Sequence, residues 1–430
     1  MATLIRGRIL SFSDAPVGDD PAAWSYVEDG AILVRDGRVA AVGAHGEIAA
    51  AAPEAEVVDH RPCLILPGFI DPHIHFPQLQ VIGSYGAQLL DWLNKYTFVE
   101  EQRFREAAHA EAMAPRFFDA LLRHGTTTAV AFCTVHPESV DAYFEEALRR
   151  NLRMIGGKVM MDRNAPEALT DTAQRGYDET KALIGRWEGR GRLHYAISPR
   201  FAITSTEAQL QASGALAAEY PELHVQTHLS ENRAEIDFAC SLYPQAKDYT
   251  DIYALHGLLG PKSLMGHCVH LSERELGAMA EARAVAVFNP TSNLFLGSGL
   301  FDMLRTEGAR VRTAVATDVG GGTSWSMLQT MDAAYKILQL QGQSLPPLMS
   351  YYRMTLGNAR ALGLEDRIGR IAPGYDADLV VLDVNATPAM RLRAERVGSL
   401  AEELFVLQTM GDDRAVAEVY VAGVASRPEG

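Results

Sequence analysis

Cysteine is scarce in this chain. Only Cys63, Cys133, Cys240 and Cys268 occur among 430 residues, far apart and with no C-x-x-C pair. That spacing argues against a disulfide framework and against a cysteine-rich zinc site, and points to reduced, mostly buried thiols in a cytoplasmic protein. Positive charge is also in deficit: 39 Lys and Arg face 54 Asp and Glu, for a net charge of -15. Phosphate recognition needs neutralising cations, so this balance argues against nucleic acid and against an anionic membrane surface as partners. A free base or nucleoside remains open as a small-molecule substrate. Long hydrophobic runs are missing too: none approaches the roughly 18 apolar residues of a membrane span. Met1–Arg8 carries no apolar core of signal-peptide length, so the expected compartment is the cytoplasm.

What is present is ordinary globular usage, 47% hydrophobic and 22% charged. Residues 3–12 and 31–43 read as short strands, the second broken by the hairpin signal Asp36-Gly37. The C-terminus repeats that texture at Asp378–Leu382 and Val416–Val421. The expectation is a small β-sandwich domain built from both termini, residues 1–63 and 372–430. Between them, residues 64–371 alternate apolar strand-like runs with helical patterns. The eight runs are Leu64–His75, Thr126–Cys133, Met154–Met161, His194–Ser198, His224–His228, Leu264–His267, Ala284–Phe288 and Arg312–Thr317. Helical stretches such as Glu101–Arg123, ended by His124-Gly125, and Ser205–Tyr220 separate them. Eight such units predict an α/β protein with a (β/α)8 TIM barrel, whose chemistry belongs at the C-terminal ends of the strands.

Those ends carry nearly all of the chain's suggestive polar groups. His73 and His75 follow the first run with one residue between, so in an extended strand they share a face. His228, Ser230 and Glu231 end the fifth run, Gly266 and His267 the sixth, and Thr317 and Asp318 the eighth. His73, His75, His228 and Asp318 offer three imidazoles and one carboxylate, a donor set suited to one Zn²⁺, or to Fe²⁺, and such an ion acidifies a water. Each residue alone reads as well as a satisfied core histidine or a turn aspartate; four at four strand ends favour a metal. Glu231, three residues beyond His228, is either the proton carrier for that water or part of the cap of the next helix. His267 could steady developing negative charge. His270 points elsewhere on spacing. Arg200, after strand four, offers a planar fork of donors for a carbonyl and an adjacent ring acceptor. No lysine stands at that strand end, and Lys158 belongs to strand three, which favours a single metal.

With these residues assembled, the chain resembles the amidohydrolase superfamily over its whole length, and within it the guanine deaminase family. The likeness rests on the segment 84–98 (SYGAQLLDWLNKYTF), on Ser198-Pro199-Arg200-Phe201, on HLSEN at 228–232, and on Phe288–Asn293. It extends to Thr317-Asp318-Val319-Gly320-Gly321-Gly322 and the late Pro373–Leu379 run. Pro72 and Phe76-Pro77 depart from the family pattern. The resemblance implies one zinc at His73, His75, His228 and Asp318, and hydrolysis of guanine to xanthine and ammonia with Glu231, His267 and Asp318 as catalytic groups. It implies that Gln78 and Arg200 hold the purine's polar edge, with His228 and Glu231 also facing the substrate. Phe201 and Trp92 become candidates for an aromatic wall, though Trp92 fits plain packing of the 84–98 insertion equally well. A homodimer is implied by resemblance, with that insertion serving as lid or interface. Two rival readings stay open. One is hydrolysis of another flat heterocycle (an 8-oxopurine, a pterin or a triazine), separable by a substrate panel. The other is a non-catalytic scaffold, which would show no bound metal.

Overall fold

The chain folds around a parallel barrel, seen in a computed structural model that describes residues 2–18, 21–86 and 88–428. Met1, Asp19, Asp20, Ala87 (within the 84–98 insertion), Glu429 and Gly430 lie outside the described residues. Strands β1 (Thr3–Phe12), β2 (Trp24–Arg35), β3 (Arg38–Ala44) and β4 (Glu56–Pro67) come first, with Asp36-Gly37 turning β2 into β3. The barrel strands are β5 (Phe69–His75), β6 (Thr126–Phe132), β7 (Arg153–Gly157), β9 (His194–Pro199), β10 (His224–Leu229), β11 (Ser263–His267), β12 (Val285–Phe288) and β13 (Arg312–Val315). A two-residue β8 (Val159–Met160) pairs with β9. The chain ends with β14 (Leu379–Leu382), β15 (Val416–Val421) and β16 (Val424–Ala425).

Two sheets result. One has the order β16-β15-β14-β4-β1-β2-β3, and the other runs β13-β12-β11-β10-β9-β7-β6-β5 with its main strands parallel. The second is the expected eight-stranded barrel, and the first is a sheet drawn from both termini. β4 splices the ends together: Thr3–Arg6 of β1 lie alongside Glu56–Asp59, while Leu64–Pro67 pair antiparallel with β14. Helices cover the barrel with period-3.6 apolar faces. Ala107–Arg123 buries Ala110, Met113, Ala114, Phe117, Phe118 and Leu121, the spacing of a single core-facing stripe.

One expectation changes here. Leu64–His75 is two strands, because Gly68 breaks it. The Gly68 amide donates to Asp378 O (2.9 Å), and the next amide, of Phe69, donates to Gly125 O (2.9 Å). A Cβ at Gly68 would lie 2.2 Å from Thr127 Oγ1, so only glycine lets the chain pass from one sheet to the other here. Met154–Met161 likewise divides into β7 and β8 around the buried Lys158, whose Nζ pairs with Asp171.

The barrel's two end strands, β5 and β13, share no regular ladder and are joined by polar groups. Asn358 Nδ2 donates to Ile70 O and to Val315 O (both 2.8 Å), and its Oδ1 accepts from Val315 N (3.1 Å). Asp71 accepts from Thr317 N (3.1 Å) and from Thr317 Oγ1. Beyond them Asp318 N donates to His73 O (2.9 Å) and His75 N to Val319 O (2.8 Å). No helix among the described residues is long and apolar enough to cross a membrane.

Asn358→Ala leaves three buried backbone groups without partners and should lower stability by about 3 kcal/mol, each such group costing roughly 1–3 kcal/mol. Urea unfolding followed by circular dichroism reads this directly. An unchanged midpoint would mean that Asn358 does not hold the seam.

Candidate metal centre and active site

The strand ends bring the chemistry together because three of them turn sharply. Ser230 after β10 (φ 51°), His267 at the end of β11 (φ 72°) and Asp318 after β13 (φ 54°) all adopt left-handed backbone. That conformation is uncommon for residues with a Cβ and clusters at functional sites. β5 needs no such turn: its seven residues are all buried, and His73 and His75 stand two apart on its last stretch.

His73, His75, His228 and Asp318 each offer a ligand atom within 4.8 Å of the others. Asp318 Oδ1 lies 3.4 Å from His73 Nε2 and 3.3 Å from His75 Nε2, and the Nε2 atoms of His75 and His228 are 3.2 Å apart. Two ligands each about 2.1 Å from one ion at near-tetrahedral angles stand roughly 3.3 Å apart, which matches these edges. His228 Nδ1 donates to Arg200 O (2.7 Å), which fixes its tautomer and aims an unprotonated Nε2 at the centre. Both ring nitrogens of His73 and Nδ1 of His75 are buried with no hydrogen-bond partner. Buried polar atoms rarely stay unpaired, so the orphaned His73 Nε2, which lies in the cluster, fits a site shaped for a cation.

The surroundings keep His75 and His228 neutral. Phe132, at the end of β6, stacks on His75 (4.8 Å between centroids, 16°) and packs against His73 (5.1 Å) and His228 (4.9 Å). Burial pushes the His75 and His228 pKa values down, and the neighbouring histidines push His228 further. At Asp318 burial acts upward, but contacts with His73 and His75 outweigh it and hold the carboxyl well below its ordinary range. Gly266 precedes His267, and a Cβ there would sit 2.5 Å from His73 Cε1, so glycine makes room for the first ligand.

Glu231 is buried beside this cluster. Its Oε1 accepts from Ser298 Oγ (2.8 Å), and its Oε2 lies 3.3 Å from His267 Nε2. Burial raises its pKa well above the usual carboxylate value, and the charges of Glu235 and Asp318 raise it further. Glu231 takes no part in capping the next helix. Asn232 caps Arg233–Leu242, in a capping box with Glu235, whose Oε2 accepts from the Glu231 and Asn232 amides (2.8 and 3.0 Å). His267 Nδ1 faces the amide groups of Asn293 (2.9 Å) and Asn289 (3.4 Å). With carboxylate oxygens of Glu231 and Asp318 at 3.3 and 3.7 Å from Nε2, the ring carries its proton there and Asn293 donates to Nδ1. Burial lowers its pKa to about 3, so the ring is a neutral donor.

A cavity opens over these groups, lined also by Gln78, Leu89, Trp92, Leu93, Arg200 and Phe201. All six substrate-side residues read from the sequence, Gln78, Trp92, Arg200, Phe201, His228 and Glu231, therefore line one cavity. Trp92 satisfies both of its readings: it is 2% exposed, donates Nε1–H to Ser84 O (3.2 Å), and still lines the cavity. His270 turns away, as expected, and meets Ser298 O (2.7 Å).

Sequence reasoning missed Glu101, Phe132 and Ser298. Glu101 accepts from Gln78 Nε2 (2.9 Å) and Arg200 Nη1 (2.6 Å), yet in the sequence it reads only as a helix start. Phe132 looked like the apolar end of a strand. Asn289 and Asn293 stood inside a recognised run without a role.

Residues 64–425 match the family model described as amidohydrolase family. Guanine deaminase of Escherichia coli (strain K12) is 48% identical, covering 94% of this chain and 92% of its own. The solved structure of the E. coli guanine deaminase superposes with a TM-score of 0.96 at 46% identity, covering 99% of each chain. A guanine deaminase from C. acetobutylicum, crystallised with guanine in its active site, gives 0.90 at 27% identity over 99% of this chain and 100% of its own.

The purified protein should carry one divalent ion per chain by elemental analysis, and His75→Ala or Asp318→Ala should reduce that to a small fraction. Because His75 lies on β5 and Asp318 follows β13, stripping the ion should also lower the melting temperature. At a thousandfold excess over Kd, binding to the folded state alone adds about 4 kcal/mol. A stripped protein that melts unchanged would refute any load on this seam from the ion.

Proposed function

This chain belongs to the amidohydrolase family, and from that premise we propose that it is a guanine deaminase, hydrolysing guanine to xanthine and ammonia. The observation that carries the reading is the buried pairing of a proton-carrying carboxylate with the four-ligand cluster, beside a cavity holding Arg200 and Gln78. Zinc is the proposed ion, since three neutral imidazoles and one carboxylate make a borderline donor set that leaves the site cationic. When bound it supplies Lewis acidity that acidifies the attacking water.

The chain's own groups do the rest. Arg200 and Gln78 receive the carbonyl edge of the ring, while Phe201 and Trp92 flank its faces. Glu231 Oε2 takes a proton from water as its oxygen adds to C2, and delivers that proton to ring N3. The transfer starts from the ionised carboxylate, and burial, which favours the protonated form, makes it a stronger base for the first half. His267, with its proton on Nε2, donates to the oxygen that bears developing charge at C2. Asp318 faces the same oxygen and accepts its second proton on the way to the departing amine. The C2–N bond breaks, ammonia leaves, and N3 keeps its proton in xanthine.

The protein is proposed to work in the cytoplasm as a homodimer. Its four cysteines are unpaired thiols, which suits a reducing compartment. Tyr85, near the start of the insertion, and Val99, just past its end, are 78% and 58% exposed and suit a subunit contact that light scattering would detect.

With guanine, the loaded protein should release ammonia and form xanthine, lose turnover on chelation and regain it with zinc. Glu231→Gln should keep its ion and lose turnover by about 10³-fold, within the 10²–10⁴ that a positioned proton carrier typically contributes. A Glu231→Gln protein that turned over at the wild-type rate would remove Glu231 from the mechanism. A loaded wild type inert to guanine but active on a pterin or triazine would move the assignment to that ring.

A further inference from the structure

Behind the two residues that meet the substrate's edge stands a third that does not reach the cavity. Glu101 is 1% exposed, and each of its oxygens is committed: Oε1 accepts from Gln78 Nε2 at 2.9 Å and Oε2 from Arg200 Nη1 at 2.6 Å. Gln78 is held from its other side by Gly320 N, which donates to Oε1 at 3.0 Å. Arg200 lies with its guanidinium 5.3 Å from the Phe98 ring centroid. The carboxylate therefore ties together two side chains from opposite parts of the barrel, one after β5 and one after β9, and fixes which of their donors remain for a ligand.

The pairing also decides charge. A guanidinium is permanently protonated, and one buried at 3% exposure without a counter-ion would attract any anion that entered. With Glu101 at 2.6 Å the pair is neutral overall while its remaining N–H groups still donate. Guanine is neutral near physiological pH. Xanthine, with a second carbonyl beside its ring N–H groups, gives up a proton near neutrality and becomes an anion. Among the described residues the cavity is also lined by the carboxyl groups of Glu231, Glu235 and Asp318, and the ion proposed beside them would add a positive charge that a change at Glu101 leaves in place.

We propose that Glu101 is a positioning and specificity residue for the deamination proposed above: it orients Gln78 and Arg200 for a neutral purine and cancels the arginine's charge, so the anionic product is not retained. This rests on the guanine deaminase reading. A residue that merely held the wall in shape would affect neutral and anionic purines alike, whereas charge cancellation moves them in opposite directions.

Glu101→Gln keeps the shape, removes the charge and turns an amide N–H₂ against one of two existing donors. In mildly alkaline buffer, where xanthine is largely an anion, KM for guanine should rise about tenfold, the scale of one lost charge-assisted hydrogen bond. At saturation kcat should change much less, and the inhibition constant of xanthine should fall severalfold. Glu101→Asp restores the charge and should return xanthine inhibition towards the wild-type value. Parallel weakening of guanine and xanthine, with the ion content intact, would overturn the proposal, as would no change in either. The wild type supplies a check that needs no variant: hypoxanthine, uncharged in the same buffer, should compete at least as well as xanthine, and a wild-type preference for the anion would overturn the proposal. Failure of the loaded wild type to turn over guanine would instead bring down the functional reading, and this inference with it.

Discussion

The structure depends on how the barrel closes between β5 and β13. Every other neighbouring pair around it is joined by a regular parallel ladder, which needs nothing from side chains. At this junction the backbone strands are held by Asn358, by Asp71 with Thr317, and by the exchange of amides between Asp318, His73, His75 and Val319. Three of these residues, His73, His75 and Asp318, are also metal-ligand candidates. Closing the barrel and assembling the site are one event, because His73 and His75 lie on one side of the junction and Asp318 on the other.

That coupling explains why the site tolerates so much buried polarity. Ionisable groups packed into an apolar wall are unfavourable unless each is paired or neutral. Here burial and Phe132 keep His75 and His228 uncharged, Asp318 carries its charge against imidazoles, and Glu231 is driven toward its protonated form. The unpaired Nε2 of His73 lies in the ligand cluster, a space that suits a cation. The left-handed residues at three strand ends belong to the same economy of space, since each swings a functional side chain over the barrel mouth.

The ring recognition proposed for Gln78 and Arg200 is a separate layer outside this centre. Gln78 follows β5 and Arg200 follows β9, and neither is oriented by its own strand alone. Glu101, Phe98 and the Gly320 amide set their directions. In the proposed reading the centre sets the reaction while this outer layer discriminates among flat heterocycles.

Period-two and period-3.6 patterns, with turn residues between them, were enough in the sequence to read the barrel, the sheet from both termini and the hairpin at Asp36-Gly37, because those features are local. The histidines and carboxylates at strand ends were legible for the same reason: the barrel rule turns a position in sequence into a position on one rim. The break at Gly68 was not, since it arises from Thr127, distant in sequence, crowding the place a side chain would occupy. Nor were Glu101, Ser298 and Phe132, whose types are common in helices, loops and strands. Their roles come from what they touch, and those contacts join segments from 23 to 99 residues apart, as Glu101 to Gln78 and to Arg200 shows. The chain by itself specified the elements and the chemistry available. Only the closed barrel decided which side chains share a hydrogen bond, a buried charge or a wall, because such distances exist only once the strands are brought together.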